Sequence, residues 1–392
     1  MNNFFFASTP HIHFGTGTHQ KLPDIIHSYG TRVLILTGGN SFDTSAICQN
    51  IWENLQQKFE IHRIQVSGEP SPQLVDEAVS SYKSFSPDCV VAIGGGSVVD
   101  AAKAVAGLLP SGDSVMEYLE GVGHGKIYTG PSTPFIALPT TAGTGGETSK
   151  NAVLSKIGVN GFKKSFRDEK LVAKHIILDA ELTLSCPKHV TAACGMDAFT
   201  QLLESYVSTN ANAMTDALAL SGLEKIRDSL IPAVDNGNNL QAREGMLYAS
   251  SISGLTLANA GLGSVHGLAS PLGAFFPIPH GEVCGTLLFE AAALNIRAMR
   301  ERQAGNPGLL KYAAIGRMFC QNEELPDDDA QNRLVELLEH WTERLLMPPL
   351  SNYGVKAADS DRIIDHISGG SMATNPIILT RQELTDLLSS RL

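Results

Sequence analysis

Positive charge is scarce in this sequence, with 29 Lys and Arg against 40 Asp and Glu and a net charge of −11. No block of Lys or Arg interrupts the acidic background, so the footprint that nucleic-acid binding leans on is missing and no nucleic-acid partner is expected. Long apolar runs are missing too. None approaches the roughly 18 residues a membrane helix needs, so no membrane partner is expected. The start, Met1-Asn-Asn-Phe-Phe-Phe, has neither the positive segment nor the apolar stretch of a secretory signal. The six cysteines (Cys48, Cys89, Cys186, Cys194, Cys284 and Cys320) show no C-x-x-C spacing. They are expected as reduced, mostly buried thiols of a cytoplasmic protein. Internal repeats and low-complexity tracts are absent.

What is present is material for two cores: 392 residues, 43% of them hydrophobic and 18% charged. In the first half, short apolar runs alternate with helical spacing. Val33–Thr37, Ile61–Val66, Cys89–Ile93 and Phe135–Leu138 have the pattern of buried strands, and 47–59, 74–83 and 98–109 that of helices. This alternation predicts a mostly parallel sheet covered on both faces, a Rossmann-like α/β domain. After Ile176-Ile-Leu-Asp179 the texture changes, and 191–207, 214–230, 242–257, 330–346 and 381–388 carry helical spacing. A boundary near 180–186 is expected, dividing an α/β domain (1–182) from an all-α domain (183–392). The segment Glu323–Asp329 reads as a solvated loop before a helix.

Two polar turns follow strands in the first half. Gly94-Gly95-Gly96-Ser97 lets backbone approach an anion and presents the free amides of a helix start, with Ser97 as cap and Asp100 as its capping-box partner. Alone it reads equally as a tight turn with no ligand. Some forty residues on, Pro139-Thr-Thr-Ala-Gly-Thr-Gly-Gly-Glu-Thr-Ser149 offers the hydroxyls of Thr140, Thr141 and Thr144 and exposed glycine amides, suited to ribose and phosphate oxygens. Together the turns read as a dinucleotide site. Strand Val33–Thr37 ends in Gly38-Gly39-Asn40-Ser41 with no acid before Asp43, which favours NADP. NAD remains open if Asp43 folds back toward the ribose.

In the helical half, Val265-His266-Gly267 and Pro279-His280-Gly281 set glycine beside each histidine, leaving room for something to approach the imidazole. Asp197 stands in an amphipathic helix start, where burial demands a partner. A carboxylate and two imidazoles suit zinc or iron(II), and three separate hydrogen-bonded core residues suit the spacing as well.

The strings Gly94-Gly-Gly-Ser-Val-Val-Asp100, Pro139-Thr-Thr-Ala-Gly-Thr144, Gly195-Met-Asp197, Gly261-Leu-Gly-Ser-Val-His-Gly267 and Pro279-His-Gly281 resemble the iron-containing (group III) alcohol dehydrogenases over nearly the whole chain. The resemblance implies the dehydroquinate synthase-like fold of that family, an N-terminal dinucleotide-binding domain and an all-helical domain with a metal in the cleft between them. It implies Asp197, His266 and His280 as metal ligands, Asn151 near the substrate and Lys164 among the cofactor-binding residues. Gly38-Gly39-Asn40-Ser41 resembles the NADP-dependent branch. Two positions depart from the family's pattern. Gln201 stands where a fourth ligand, histidine, is usual, and Ser270 where a histidine near the substrate is usual. A glutamine amide is a weaker donor than imidazole, so iron(II) affinity should fall. Three ligands with an open position is also the ordinary catalytic zinc arrangement, like that of the related glycerol dehydrogenases.

The resemblance implies an NAD(P)-dependent alcohol dehydrogenase or aldehyde reductase, in which His280, Ser270 and Asn151 serve catalysis and Fe2+ or Zn2+ polarises the oxygen of a small alcohol or aldehyde. A homodimer is expected. Pocket walls built from the helical half, Leu257 and Phe275 among them, are expected to be apolar and to favour a small alkyl or aryl aldehyde. The alternatives are a metal-independent reductase of an activated carbonyl and a non-catalytic NADP-binding homologue.

Overall fold

A computed structural model describes residues 3–367 and 369–392; the side chain of Asn40 also lies outside the described residues. Six strands form one sheet: β1 (His11–Phe14), β2 (Arg32–Thr37), β3 (Glu60–Gln65), β4 (Cys89–Gly94), β5 (Phe135–Pro139) and β8 (His175–Leu178). Their spatial order is β1-β8-β5-β4-β2-β3, and every neighbouring pair is parallel. Helices α1 (Leu22–His27), α2 (Asn40–Thr44), α3 (Ala46–Gln56), α4 (Pro72–Tyr82) and α5 (Gly96–Leu108) make the crossings. The strands are apolar at consecutive positions because both faces are covered. Successive side chains point to opposite faces. Val33 and Ile35 of β2 therefore join α1 and α3 through Leu22, Ile51 and Leu55. Leu34 and Leu36 join α4 and α5 through Val75, Val79 and Val105.

From β2 the chain first spreads to one edge, at β3, and then returns to the other side of β2 for β4. At such a reversal the connections part and leave a crevice at the carboxyl ends of the strands. The turns 38–41 and 94–97 follow the two strands that flank it.

An antiparallel hairpin, β6 (Asn151–Lys156) and β7 (Phe162–Arg167), was not legible in the sequence. Its apolar anchors are few, chiefly Ala152, Leu154 and Phe166, set among lysines and serines.

The second half is all helical, confirming the fold class. It comprises α6 (Lys188–Val207), α7 (Ala213–Asp235), α8 (Leu240–Ala260), α9 (Ser264–Phe275), α10 (His280–Arg302), α11 (Pro307–Cys320), α12 (Asp327–Arg344), α13 (Ser360–Asp365), α14 (Gly369–Met372) and α15 (Arg381–Ser389). Helix α6 runs through the middle, packed by α7, α8 and α10, and its residues are buried on nearly every face. A helix buried all round shows little amphipathic contrast. The exposed loop expected at 323–329 is present from Glu323 to Pro326 but ends earlier: α12 begins at Asp327, and Asp327, Asp328 and Asp329 fill its first turn. Negative charge there complements the helix dipole, so the acidic run starts the helix instead of preceding it.

All six cysteines are unpaired, but only Cys48, Cys89 and Cys284 are buried; Cys186 and Cys194 are partly exposed and Cys320 exposed, fewer buried than expected. Among the described residues no helix is long and apolar enough to cross a membrane.

Candidate functional site

A cleft of about 1100 Å³ opens between the two halves. From the α/β side it is walled by Gly95, Gly96, Ser97, Asp100, Thr141, Thr144, Asn151 and Lys164. From the helical side it is walled by Asp197, Gln201, Leu257, His266, Ser270 and His280. Gly94 is buried at the end of β4 beneath this wall, and Thr140 donates its backbone N–H to the Gly94 carbonyl at 3.0 Å. Gly38, Gly39 and Ser41 lie outside the lining, the glycines on the turn after β2 and Ser41 in α2.

The glycine turn differs from its expected form. Helix α5 starts at Gly96 with Gly95 as N-cap, and no side chain caps it. Ser97 is thus already inside the helix, and Asp100 is no capping-box partner. Asp100 instead accepts a hydrogen bond from the Val153 N–H of the hairpin. The helix start is left to its own backbone amides, which is what an anion site requires. A Cβ on Gly95 would come 3.1 Å from Thr141 Oγ1, and one on Gly96 3.0 Å from Thr144 Oγ1. The two turns therefore face each other closely, and bare backbone keeps the space between them open.

A residue that the sequence reading passed over holds the threonine loop. Lys103 of α5 is fully buried, and its ammonium donates to the carbonyls of Gly146 (2.6 Å), Ser149 (2.8 Å) and Asn151 (2.7 Å). Burial pulls its pKa down, against the opposing charges of Asp100 and Glu147. Burial pushes the carboxyls of Asp100 and Glu147 up, against Lys103. The loop also docks on α8. Gly145 has φ +58, and a Cβ there would stand 2.3 Å from the Ser250 carbonyl oxygen. Only glycine suits that backbone and that distance.

On the helical side three elements converge. Asp197 comes from α6, His266 from α9 and His280 from the first position of α10. Asp197 Oδ1 lies 3.4 Å from His266 Nε2 and 3.7 Å from His280 Nε2. That oxygen is buried and makes no hydrogen bond. Burial raises the Asp197 carboxyl's pKa, but the two imidazoles outweigh it and hold it below the usual carboxylate range. Burial pushes the His280 imidazole down, against the opposing charge of Asp197. An orphaned buried carboxylate oxygen between two imidazole nitrogens fits a divalent cation, and Asp197, His266 and His280 would hold it.

The glycines beside these histidines also let neighbouring protein come close. A Cβ on Gly281 would come 2.5 Å from the Ala193 carbonyl of α6, and one on Gly267 2.9 Å from Met372 Cε. Both glycines also line the cleft, and the one at Gly281 lets α10 close against α6.

Glu204 was overlooked. Its Oε2 accepts from His266 Nδ1 at 2.7 Å and its Oε1 from the Val265 N–H at 2.7 Å. That fixes the imidazole with Nε2 toward Asp197, a carboxylate–histidine arrangement typical of metal ligands. Its spacing was a readable signal, because 197, 201 and 204 recur on one face of α6. Gln201 Oε1 accepts from the Ser253 hydroxyl at 2.7 Å. Ser270 donates to the Lys163 carbonyl at 3.1 Å.

Charged side chains line the α/β side of the cleft. Lys163 and Glu69, paired at 3.0 Å, line the cleft with Lys164 and Arg167. Leu257 is in the wall, but Phe275 is not; it packs under the Arg362 guanidinium at 3.8 Å.

Comparison with known proteins covers both halves. The profile described as iron-containing alcohol dehydrogenase matches residues 9–180, and that described as Fe-containing alcohol dehydrogenase family, C-terminal, matches residues 191–392. Alcohol dehydrogenase 4 of Schizosaccharomyces pombe is 35% identical over 325 residues, 82% of this chain and 73% of its own. The NAD-dependent methanol dehydrogenase of Bacillus methanolicus is 28% identical over 398 residues, covering 100% of both chains. The sulfoacetaldehyde reductase of Bifidobacterium kashiwanohense, solved with NAD+, superimposes with a TM-score of 0.85 at 26% identity over 100% of this chain and 99% of its own. Since the matches span the glycine turns and the metal-ligand helices alike, the chain belongs to the iron-containing alcohol dehydrogenase family and is an oxidoreductase.

Proposed function

We propose that the protein is an NAD(P)-dependent alcohol dehydrogenase or aldehyde reductase, acting on a small alcohol or aldehyde with a divalent cation held by Asp197, His266 and His280. The observation that carries this reading is the unpaired, buried Asp197 Oδ1 between two imidazoles, on the wall of a cleft whose opposite wall is the uncapped start of α5. A cation there supplies Lewis acidity toward the substrate oxygen, and a nicotinamide supplies or accepts the hydride. The chain's own share is placement. Gly95, Gly96 and Ser97 receive the pyrophosphate on backbone amides, and Thr141 and Thr144 offer hydroxyls beside it. Lys103 keeps the loop from Gly146 to Asn151 in position. Asn151 and Lys164 face the substrate and cofactor from the hairpin, and Ser270, partly exposed, orients the substrate hydroxyl or passes its proton to water.

NADP is the preferred dinucleotide in this reading. Asp43, the one acid close after β2, is ion-paired with Arg63 at 2.7 Å and is thus neutralised where a ribose 2′-phosphate would approach. The polar walls at Glu69, Lys163 and Arg167 favour a short aldehyde with a polar tail over a long alkyl chain. A homodimer in the cytoplasm completes the proposal.

The test is an oxidation screen with NADPH and NADH over short polar, alkyl and aryl aldehydes and keto acids, with metal content measured on the same preparation. Aldehyde reduction with NADPH preferred and metal near one per chain is the expected result. A strong NADH preference would overturn the cofactor assignment, and tight NADPH binding with no turnover on any carbonyl would overturn the enzyme assignment.

A further inference from the structure

The metal site has a fourth donor that nothing in the glycine or histidine motifs announces. We infer that the Cys284 thiolate is a metal ligand, closing a four-donor set with Asp197, His266 and His280; this rests on the proposed metal site. Cys284 lies four residues after His280 on α10, one turn along the same face. Its Sγ is 3.6 Å from His266 Nε2 and 3.8 Å from His280 Nε2. It also reaches the Asp197 carboxylate.

The spacing of these atoms is what a bound ion would set. Nitrogen, oxygen and sulfur donors at about 2.0–2.3 Å from a tetrahedral zinc ion stand roughly 3.3–3.8 Å from one another. Four of the six separations among these donors are 3.4, 3.7, 3.6 and 3.8 Å. All four ligand atoms lie within 4.8 Å of one another. The unpaired Asp197 Oδ1 is a second, independent mark of a missing cation at the same point.

Direction matters as much as distance. Asp197, His266 and His280 line the cleft, whereas Cys284 is buried and does not. The sulfur would therefore approach from the protein interior and leave the cleft side open to a substrate oxygen. Gln201, the position expected to supply the fourth donor, has its amide oxygen engaged by Ser253. Binding converts Cys–SH and M2+ to Cys–S−–M2+ and releases one proton to solvent. A thiolate among the donors favours a softer ion, so the resident metal is zinc rather than iron(II).

The experiment strips the purified full-length protein with a chelator, reloads it with one equivalent of Co2+ and records the absorption spectrum. The expected spectrum has visible d–d bands and a near-ultraviolet thiolate-to-cobalt charge-transfer band. In Cys284→Ser and Cys284→Ala the charge-transfer band disappears, and metal retention falls by about 10–100-fold or more, at least the cost of losing an outer partner. In Cys194→Ala, which removes a thiol lining the same cleft, the band remains. Circular dichroism checks that each variant is folded. Cobalt bound with d–d bands but no charge-transfer band would overturn the thiolate ligand and leave the three-donor site standing. A band lost in Cys194→Ala and kept in Cys284→Ala would also overturn it. Failure to bind cobalt at all would overturn both.

Discussion

On the α/β side the part of the wall proposed for the dinucleotide is built on backbone: the amides at the start of α5, glycines that keep side chains out, and a loop whose carbonyls are gathered by Lys103. On the helical side it is walled by side chains brought from three helices, with Glu204 and Cys284 behind them. The first kind of wall tolerates many residues but not a Cβ in the wrong place. The second tolerates backbone variation but not a change of donor. Geometry guards one half and chemical identity the other.

The sharpest break of this comparison comes from the donor side. Asp197→Asn should lose the metal and lower the reduction rate by about a thousandfold, the several kcal/mol that Lewis-acid stabilisation supplies. Dinucleotide affinity, measured by fluorescence titration, should change little, and a parallel collapse would mean the halves are not separable. Glu204→Gln keeps shape but weakens the acceptor for His266 Nδ1. Metal affinity should fall by about 10–100-fold, read by competition with a chromophoric chelator. On the backbone side, Gly95→Ala sets a methyl 3.1 Å from Thr141 Oγ1. Dinucleotide affinity should fall by about tenfold, or 1.4 kcal/mol, with metal content unchanged. The smallest effect is expected from Asp43→Ala. The ion pair it removes is partly exposed and worth at most about 1 kcal/mol, so the NADPH-to-NADH preference should shift toward NADPH by only a few-fold.

The same contrast governs what could be read from the sequence. Apolar runs ending in glycine announced β2, β4 and the turns after them, because strand and turn chemistry is local. Asp197, His266 and His280 stood out by residue type and are brought together as expected. Their support did not stand out. Helix α6 is buried all round, so its hydrophobic pattern marks no face, and only the spacing of Glu204 from Asp197 and Gln201 could have singled it out. Cys284 looked like one more core thiol, since its use depends on where α9 places His266. Ser97 misled because a hydroxyl at a helix start suggests a cap, while the helix starts two residues upstream, with Gly95 as its cap. The hairpin was hidden by its lysines, and the docking of Gly145 on α8 is a long-range contact.

The central claim, that a cation on Asp197, His266 and His280 acts on the substrate oxygen, is tested most directly by chelation and reloading. Aldehyde reduction would be followed in the purified protein, in the metal-stripped protein, and after return of Zn2+ or Fe2+ in separate samples. The expected result is loss of activity with the metal, recovery on reloading, and no recovery in Asp197→Asn. Full activity in protein shown to be metal-free would contradict it.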